Sequence, residues 1–106
     1  MTKQRITSFG EYIRELRESH GLPLRKVAAQ LDIDPSLLGK IERNERHPTK
    51  KQIRKLAELY EQNEEFLYSE CLSDQIAYKI IEEDGDVKVL KAAERKVLYL
   101  KTKMNA

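Results

Sequence analysis

Residues 23–44, PLRKVAAQLDIDPSLLGKIERN, decide the fold predicted for this chain. Apolar residues recur at helical spacing on either side of a short break at Asp32 and Ile33. Asp34 and Pro35 mark the start of the second segment, because Asp is a frequent N-cap and Pro is favoured at the first helical position. The stretch therefore predicts two short helices joined by a tight corner. The inward-facing residues are predicted to be Val27, Ala28, Leu31, Leu38 and Ile41.

The second helix of this pair presents an outward surface of small and polar residues. Its outward members are predicted to be Pro35, Ser36, Gly39, Lys40 and Arg43. Gly39 is notable because a glycine inside a helix costs about 1 kcal/mol relative to alanine. Close packing against another helix explains such a glycine, and so does close approach of a ligand. Its predicted outward position favours the ligand.

Capping signals place the neighbouring helices. Ser8 and Glu11 have the capping-box spacing, and Thr49 and Gln52 repeat it. Gly21 is predicted to end the first helix, because glycine readily adopts a positive φ. Further apolar periodicity predicts helices over 64–82 and 87–104, separated by a turn at 84–86. With only three prolines and four glycines in 106 residues, the chain is predicted to be all-α.

The charge of the chain is unevenly distributed. Residues 1–60 carry 13 Lys and Arg against 8 Asp and Glu, a net charge of +5, whereas residues 61–106 carry a net charge of −3. A basic first half suggests a polyanionic partner for that half alone. The same shift supports a division into residues 1–62 and an extension over residues 63–106.

Other classes of function have little support in the sequence. Cys71 is the only cysteine, so no internal disulfide forms. The polar start of the chain is unlike a signal peptide, and no apolar run reaches the roughly 18 residues of a membrane helix, so we expect a cytoplasmic protein without membrane contact. His20 and His47 lack metal-site spacing, and no catalytic set stands out. We therefore expect neither an enzyme, nor a metal, nor a cofactor.

The last helix carries an apolar stripe with heptad-like spacing, which we call the seam. Two interpretations are open: the helix folds back on residues 64–82, or the seam pairs with a second copy of the chain. A hairpin that also dimerises combines both. The residues of the seam are Leu90, Ala93, Val97, Leu100 and Met104.

The corner and its two helices match helix-turn-helix geometry, and residues 9–60 resemble the Cro/lambda-repressor type of helix-turn-helix regulator. The resemblance rests on Leu16-Arg17, Asp34-Pro35-Ser36, Lys40-Ile41-Glu42-Arg43, Pro48-Thr49 and Leu56-Ala57. It implies a five-helix lambda-repressor-like DNA-binding domain with a C-terminal helical extension. Three positions depart from the family pattern: Pro23-Leu24 replaces the polar cap, Asp32 the corner glycine, and Asn44 the glycine after the second helix.

The resemblance also implies which residues contact DNA. Base contacts are expected from Pro35, Ser36, Gly39 and Lys40, with Lys40 contributing most of the hydrogen bonding. An ion pair between Arg17 and Glu42 is expected to orient the second helix rather than to add much stability. Phosphate contacts are expected from Leu24, Arg25, Arg43, Arg46, Thr49 and Lys50.

The function predicted from these residues is sequence-specific binding of double-stranded DNA by a homodimeric transcriptional regulator. A repressor or autoregulator is expected, and a restriction–modification controller protein is one such regulator. One alternative is an antitoxin-type repressor whose C-terminal helices bind a second protein, a toxin. Another is a protein-interaction adaptor that does not bind DNA.

Overall fold

The computed structural model describes residues 7–105, and within that range every regular element is an α-helix, which confirms the all-α class. The helix predicted over residues 64–82 is present and continuous. The six helices are α1 (Phe9–Ser19), α2 (Leu24–Leu31), α3 (Pro35–Glu42), α4 (Lys50–Leu59), α5 (Glu64–Glu82) and α6 (Val87–Met104).

Both predicted capping boxes are present. At the start of α1 the Ser8 hydroxyl accepts a hydrogen bond from the Glu11 amide at 3.2 Å, and the Glu11 carboxylate accepts one from the Ser8 amide at 3.1 Å. Thr49 and Gln52 make the same reciprocal pair at the start of α4, at 3.1 and 2.9 Å. Each box satisfies amides that the first turn of a helix leaves unpaired, so the sequence fixes both helix starts locally.

The other helix ends depend on backbone conformation. Gly21, which follows α1, has a φ of 64°, as predicted. Asp34 is the N-cap residue of α3, but its carboxylate makes no capping hydrogen bond. Pro23 at the start of α2 offers none either. The start of α3 therefore depends on Pro35, whose ring fixes φ in the helical range and whose missing N–H needs no partner at that position.

The first compact unit ends at Asp74 and contains α1 to α4 with the first half of α5. Leu67 and Cys71 of α5 are buried in the same apolar core as the earlier helices. The domain boundary predicted after residue 62 therefore falls inside this unit, because α5 completes its core. The remaining buried core residues are Phe9, Ile13, Val27, Ala28, Leu31, Leu38, Ile41, Ile53, Leu56, Ala57 and Tyr60.

The second compact unit begins at Gln75 and contains the end of α5, a turn and α6. The turn forms as predicted: Asp84 has a φ of 57°, and the Gly85 amide donates to the carbonyl of Ile80 at 2.8 Å. Asp86 caps α6 by accepting a hydrogen bond from the Lys88 amide at 2.8 Å. No residue of α6 is buried. Most of the apolar surface of α6 thus remains exposed in the single chain.

Candidate nucleic-acid interface

The corner between α2 and α3 consists of Asp32, in the left-handed conformation, and Ile33, whose apolar side chain lies beneath the turn. Asp32 has a φ of 58°, a conformation that Asp tolerates better than most residues other than glycine. The Ile33 amide then donates to the carbonyl of Ala28 at 3.0 Å, and its side chain packs against the core. These contacts turn the chain sharply, so α3 begins two residues after the corner.

The exposed side of α3 is small, with one long hydrogen-bonding side chain. Pro35, Ser36 and Lys40 are exposed, as the sequence predicts. The Lys40 ammonium group makes no hydrogen bond or salt bridge with the described residues. A shallow depression beside it is lined by Asp34, Ser36, Lys40 and Arg46, among others. An exposed cation on a flat helix face is a suitable donor for base acceptors in a DNA groove.

Gly39 lies on the side of α3 that the sequence predicts to face outward, but it is buried by neighbouring side chains. A Cβ placed on it would lie 3.2 Å from Arg43 Nη1 and 3.8 Å from Leu24 Cδ2, so these two side chains cover the glycine. Helical periodicity predicts the side of the helix on which a residue lies, but it does not predict how far neighbouring side chains extend over it. The burial of Gly39 under Arg43 and Leu24 was therefore not predicted. A base contact by Gly39 remains a prediction, and it requires at least the Arg43 side chain to move.

Two of the cations expected to contact phosphates have partners within the protein. Arg43 forms a salt bridge with Glu45 at 2.9 Å, and this contact raises the pKa of Arg43 and lowers that of Glu45. The ammonium group of Lys50 lies 4.8 Å from the centre of the Tyr68 ring, a cation–π contact. Both pairs are at the surface, where such interactions are weak. Arg43 and Lys50 are therefore able to exchange these partners for a more highly charged anion.

The remaining residues expected to contact phosphates divide into free cations and backbone positions. Arg25 and Arg46 are exposed, and their guanidinium groups have no hydrogen bond or salt bridge with the described residues. Thr49 uses its hydroxyl to cap α4. Leu24 opens α2, where the first amides of a helix point outward and favour anions.

Arg17 and Glu42 form the ion pair that the sequence predicts between α1 and α3. Arg17 donates from Nε and Nη2 to the two carboxylate oxygens of Glu42 at 2.8 and 3.1 Å, and from Nη1 to the carbonyl of Leu22 at 3.0 Å. The Glu42 side chain is 5% exposed, and its hydrogen bond raises the pKa of Arg17. A two-point contact in a nearly dry environment fixes orientation as well as distance. The pair therefore orients α3 against α1 and the loop before α2.

A second link between α1 and α3 was not predicted. Asn44, with a φ of 64° after α3, accepts a hydrogen bond from the Gly10 amide at 2.9 Å and donates one to the Ser8 hydroxyl at 2.8 Å. Gly10 permits this approach because a Cβ there would lie 2.6 Å from Asn44 Oδ1 and from the carbonyl oxygens of Ile41 and Glu42. Two features of the sequence could have indicated this link. Gly10 lies inside the Ser8–Glu11 capping box, and Asn44 stands where the family pattern has a glycine.

Two further features, a metal-binding cluster and a membrane-spanning helix, are absent from the described residues. No three His, Cys, Asp or Glu side chains in residues 7–105 are arranged so that they could hold a metal ion. Within the same residues, no helix combines the length and apolar character that crossing a bilayer requires.

Comparison with known families identifies the class of the protein. Residues 13–67 match the family model HTH_3, described as helix-turn-helix. The chain belongs to this Cro/C1-type helix-turn-helix family, whose members are DNA-binding transcription regulators rather than enzymes. The predicted lambda-repressor-like fold is thereby confirmed. No curated protein sequence matches the chain.

Solved structures similar to this one include the following three. The restriction-modification controller protein C.AhdI from Aeromonas hydrophila is 34% identical, with 56% of this chain and 89% of that chain covered and a TM-score of 0.51. The Pseudomonas aeruginosa antitoxin HigA, solved with the higBA promoter, is 16% identical, with 76% and 88% covered and a TM-score of 0.66. The SinR protein/SinI protein complex gives 24% identity, 92% and 99% coverage and a TM-score of 0.53. At these identities the last two similarities show the fold alone.

Proposed function

We propose that this protein is a cytoplasmic homodimeric regulator that binds a specific DNA sequence and represses or autoregulates transcription. The observation that carries the proposal is the free Lys40 on the small exposed face of α3, the second helix of the helix-turn-helix pair. That helix is held to α1 by the Arg17–Glu42 pair and by Asn44. A rigid helix with a small face is suited to entering a major groove about 12 Å wide.

Base reading depends mainly on Lys40 in this proposal. Lys40 donates to guanine O6 and N7, while Pro35 and Ser36 allow the start of α3 to approach the base edges. Gly39 adds to the close fit when Arg43 leaves it for a phosphate. Because few donors are present, sequence-dependent DNA shape contributes the rest of the specificity.

Phosphate contacts surround this face. Arg25 and Arg46 bind phosphates with their free guanidinium groups, and Arg43 and Lys50 exchange Glu45 and Tyr68 for phosphates. Leu24 contributes backbone amides at the start of α2, and Thr49 donates its hydroxyl hydrogen, because the hydroxyl oxygen only accepts in the capping box. These contacts carry no sequence information, but they position α3 on the duplex.

The test of DNA binding uses the DNA upstream of the protein's own coding sequence. Fluorescence anisotropy of that fragment and of a shuffled fragment, measured over a range of salt concentrations, reports specific and non-specific affinity separately. We expect tighter binding to the upstream fragment and an affinity that falls steeply with salt. Absence of binding to either fragment at low salt would instead favour an adaptor that does not bind DNA.

Dimerisation through the seam is supported by its exposure in the single chain. Leu90, Val97, Leu100 and Met104 are between 47% and 82% exposed, so folding back on α5 does not cover the seam. Contiguous exposed apolar surface on a monomer is typical of an interaction site. A second copy on the seam would bury it and place two α3 helices on half-sites about one helical turn apart.

The dimer proposal is tested with two adjacent glutamate variants. Val97→Glu introduces a charge into the seam, whereas Leu98→Glu introduces the same charge at the next residue, which is 65% exposed and off the seam. In sedimentation equilibrium we expect Val97→Glu to be monomeric and Leu98→Glu to remain dimeric. A monomeric wild type would contradict the dimer and favour the antitoxin alternative, in which a second protein covers the seam.

The similarity to the restriction-modification controller protein C.AhdI supports a controller-like regulatory role over the antitoxin role, and we infer autoregulation as the form of that role. Its 34% identity extends over 56% of this chain, whereas the likeness to the antitoxin is one of fold. A reporter gene placed behind the upstream fragment tests the role. We expect its expression to change when the protein is supplied in trans; unchanged expression would contradict autoregulation.

A further inference from the structure

The net charge of the C-terminal half conceals a strong separation of charge. Residues 61–86 carry nine Asp and Glu against a single Lys, whereas α6 carries six Lys and Arg against a single Glu. The helix therefore has a net charge of +5 over 18 residues. No residue of α6 is buried, so packing within the single chain does not account for these cations.

Three of these cations form a line along one side of the helix, which we call the basic row: Lys88, Lys91 and Arg95. Spacings of three and four residues place them on one face. All three are exposed, and none has a hydrogen bond or salt bridge from its charged group to a described residue. Lys103, by contrast, lies over the Tyr99 ring at 5.8 Å. The basic row is thus a set of unpartnered cations.

The basic row and the seam lie on opposite sides of α6. At about 100° of rotation per residue, the centre of the row is roughly 180° from the centre of the seam. A second copy bound on the seam would leave the row accessible. The cations are therefore not explained as the polar margin of the dimer contact.

We propose that the basic row binds phosphates of duplex DNA. This inference rests on the proposed function. The row extends over about 10 Å of helix, and duplex DNA offers one negative charge per about 1.7 Å of its axis, so three cations can engage one stretch of backbone. No Asn or Gln side chain, of the kind that reads base edges, occurs beside the row in α6. Its Lys and Arg side chains are therefore expected to contact phosphates rather than bases. The contact adds affinity that is independent of sequence.

An anionic lipid surface is the main competing ligand for a basic amphipathic helix. An interfacial helix buries its apolar side at the acyl boundary while its cations face the headgroups. That arrangement would require the seam itself to enter the bilayer, which is incompatible with a second copy covering it. DNA phosphate uses the row alone, and for this reason it is the ligand that the geometry favours.

The test compares two variants with equal charge loss on the full-length protein. One replaces the basic row (Lys88→Gln, Lys91→Gln, Arg95→Gln), and the control replaces Lys96, Lys101 and Lys103 with Gln. For each variant the affinity for a bound duplex is measured against salt concentration, and sedimentation confirms the oligomeric state. We expect the row variant to reduce the slope of log K against log salt by about 2.7 for each protomer bound, hence by about 5.4 for the dimer, and the control by less than about 1 per protomer. Discrimination between specific and shuffled DNA should stay unchanged.

Each other outcome overturns the inference. Equal reductions in both variants mean that only net charge matters, and no reduction in the row variant means that the row does not contact DNA. If the row variant loses binding to vesicles containing phosphatidylserine while its DNA slope is unchanged, the ligand is a lipid surface. Failure of the proposed function is distinguishable, because the wild-type protein would then show no salt-dependent DNA binding at all.

Discussion

Gly10 has little freedom to change, because it lies where α1 meets the end of α3. A Cβ added there would lie 2.6 Å from Asn44 Oδ1 and from the carbonyl oxygens of Ile41 and Glu42. Two of these three atoms belong to the backbone, so they cannot rotate out of the way. Gly10→Ala therefore must separate α1 from the end of α3.

The size of the effect follows from three contributions. Overpacking costs about 1–3 kcal/mol, and loss of the 2.9 Å hydrogen bond from the Gly10 amide to Asn44 costs about 1 kcal/mol. The higher helix propensity of alanine relative to glycine offsets up to about 1 kcal/mol of this loss. The net loss is about 1–3 kcal/mol, and it corresponds to a decrease in Tm of roughly 5–20 °C for a domain of this size.

Gly39→Ala is the matched control for this prediction. Its Cβ would meet the far end of the Arg43 side chain at 3.2 Å, and that exposed side chain can move away. Urea unfolding followed by circular dichroism measures both variants. We expect Gly39→Ala to equal or exceed the wild type in stability by up to about 1 kcal/mol. Wild-type stability of Gly10→Ala, or equal losses in both variants, would refute the packing argument.

Three further substitutions test the site and its support. Lys40→Ala should cost about 1–3 kcal/mol at the specific DNA site and relax base preference there, as measured by anisotropy with single-base variants of the site; equal losses on specific and shuffled DNA would make Lys40 a phosphate contact only. Arg46→Ala should weaken binding to both the specific and the shuffled DNA and reduce the slope of log K against log salt by about 1. An unchanged slope would contradict the assignment of Arg46 as a phosphate contact. Tyr60→Phe should leave the free energy of unfolding in urea unchanged or raise it, because burial raises the pKa of Tyr60 to about 12 and its hydroxyl has no hydrogen-bond partner among the described residues. A loss above about 1 kcal/mol would show that this hydroxyl has a partner.

Much of the first unit follows from local sequence signals. The capping boxes at Ser8 and Thr49 act within three residues, and the corner at Asp32 requires one left-handed residue. The burial of α2, α3 and α4 follows from helical periodicity. The Arg17–Glu42 pair came from the family resemblance and is present in the structure.

The remaining features depend on contacts between distant parts of the chain. Asn44 bonds to Gly10 across 34 positions, and Gly39 is covered by Leu24 from another helix. The place of Leu67 and Cys71 in the core depends on how α5 meets the earlier helices. Periodicity identifies which side of a helix is apolar, but it does not say what that side packs against.

In the proposed dimer, two copies of this chain present α3 to one DNA site. In vitro selection of bound DNA from a random pool with the full-length protein is the test of this arrangement. We expect enrichment of a palindromic sequence with half-sites about 10 base pairs apart, centre to centre. Enrichment of a single asymmetric half-site would contradict the dimer, and a pool that remains random after selection would contradict specific DNA binding.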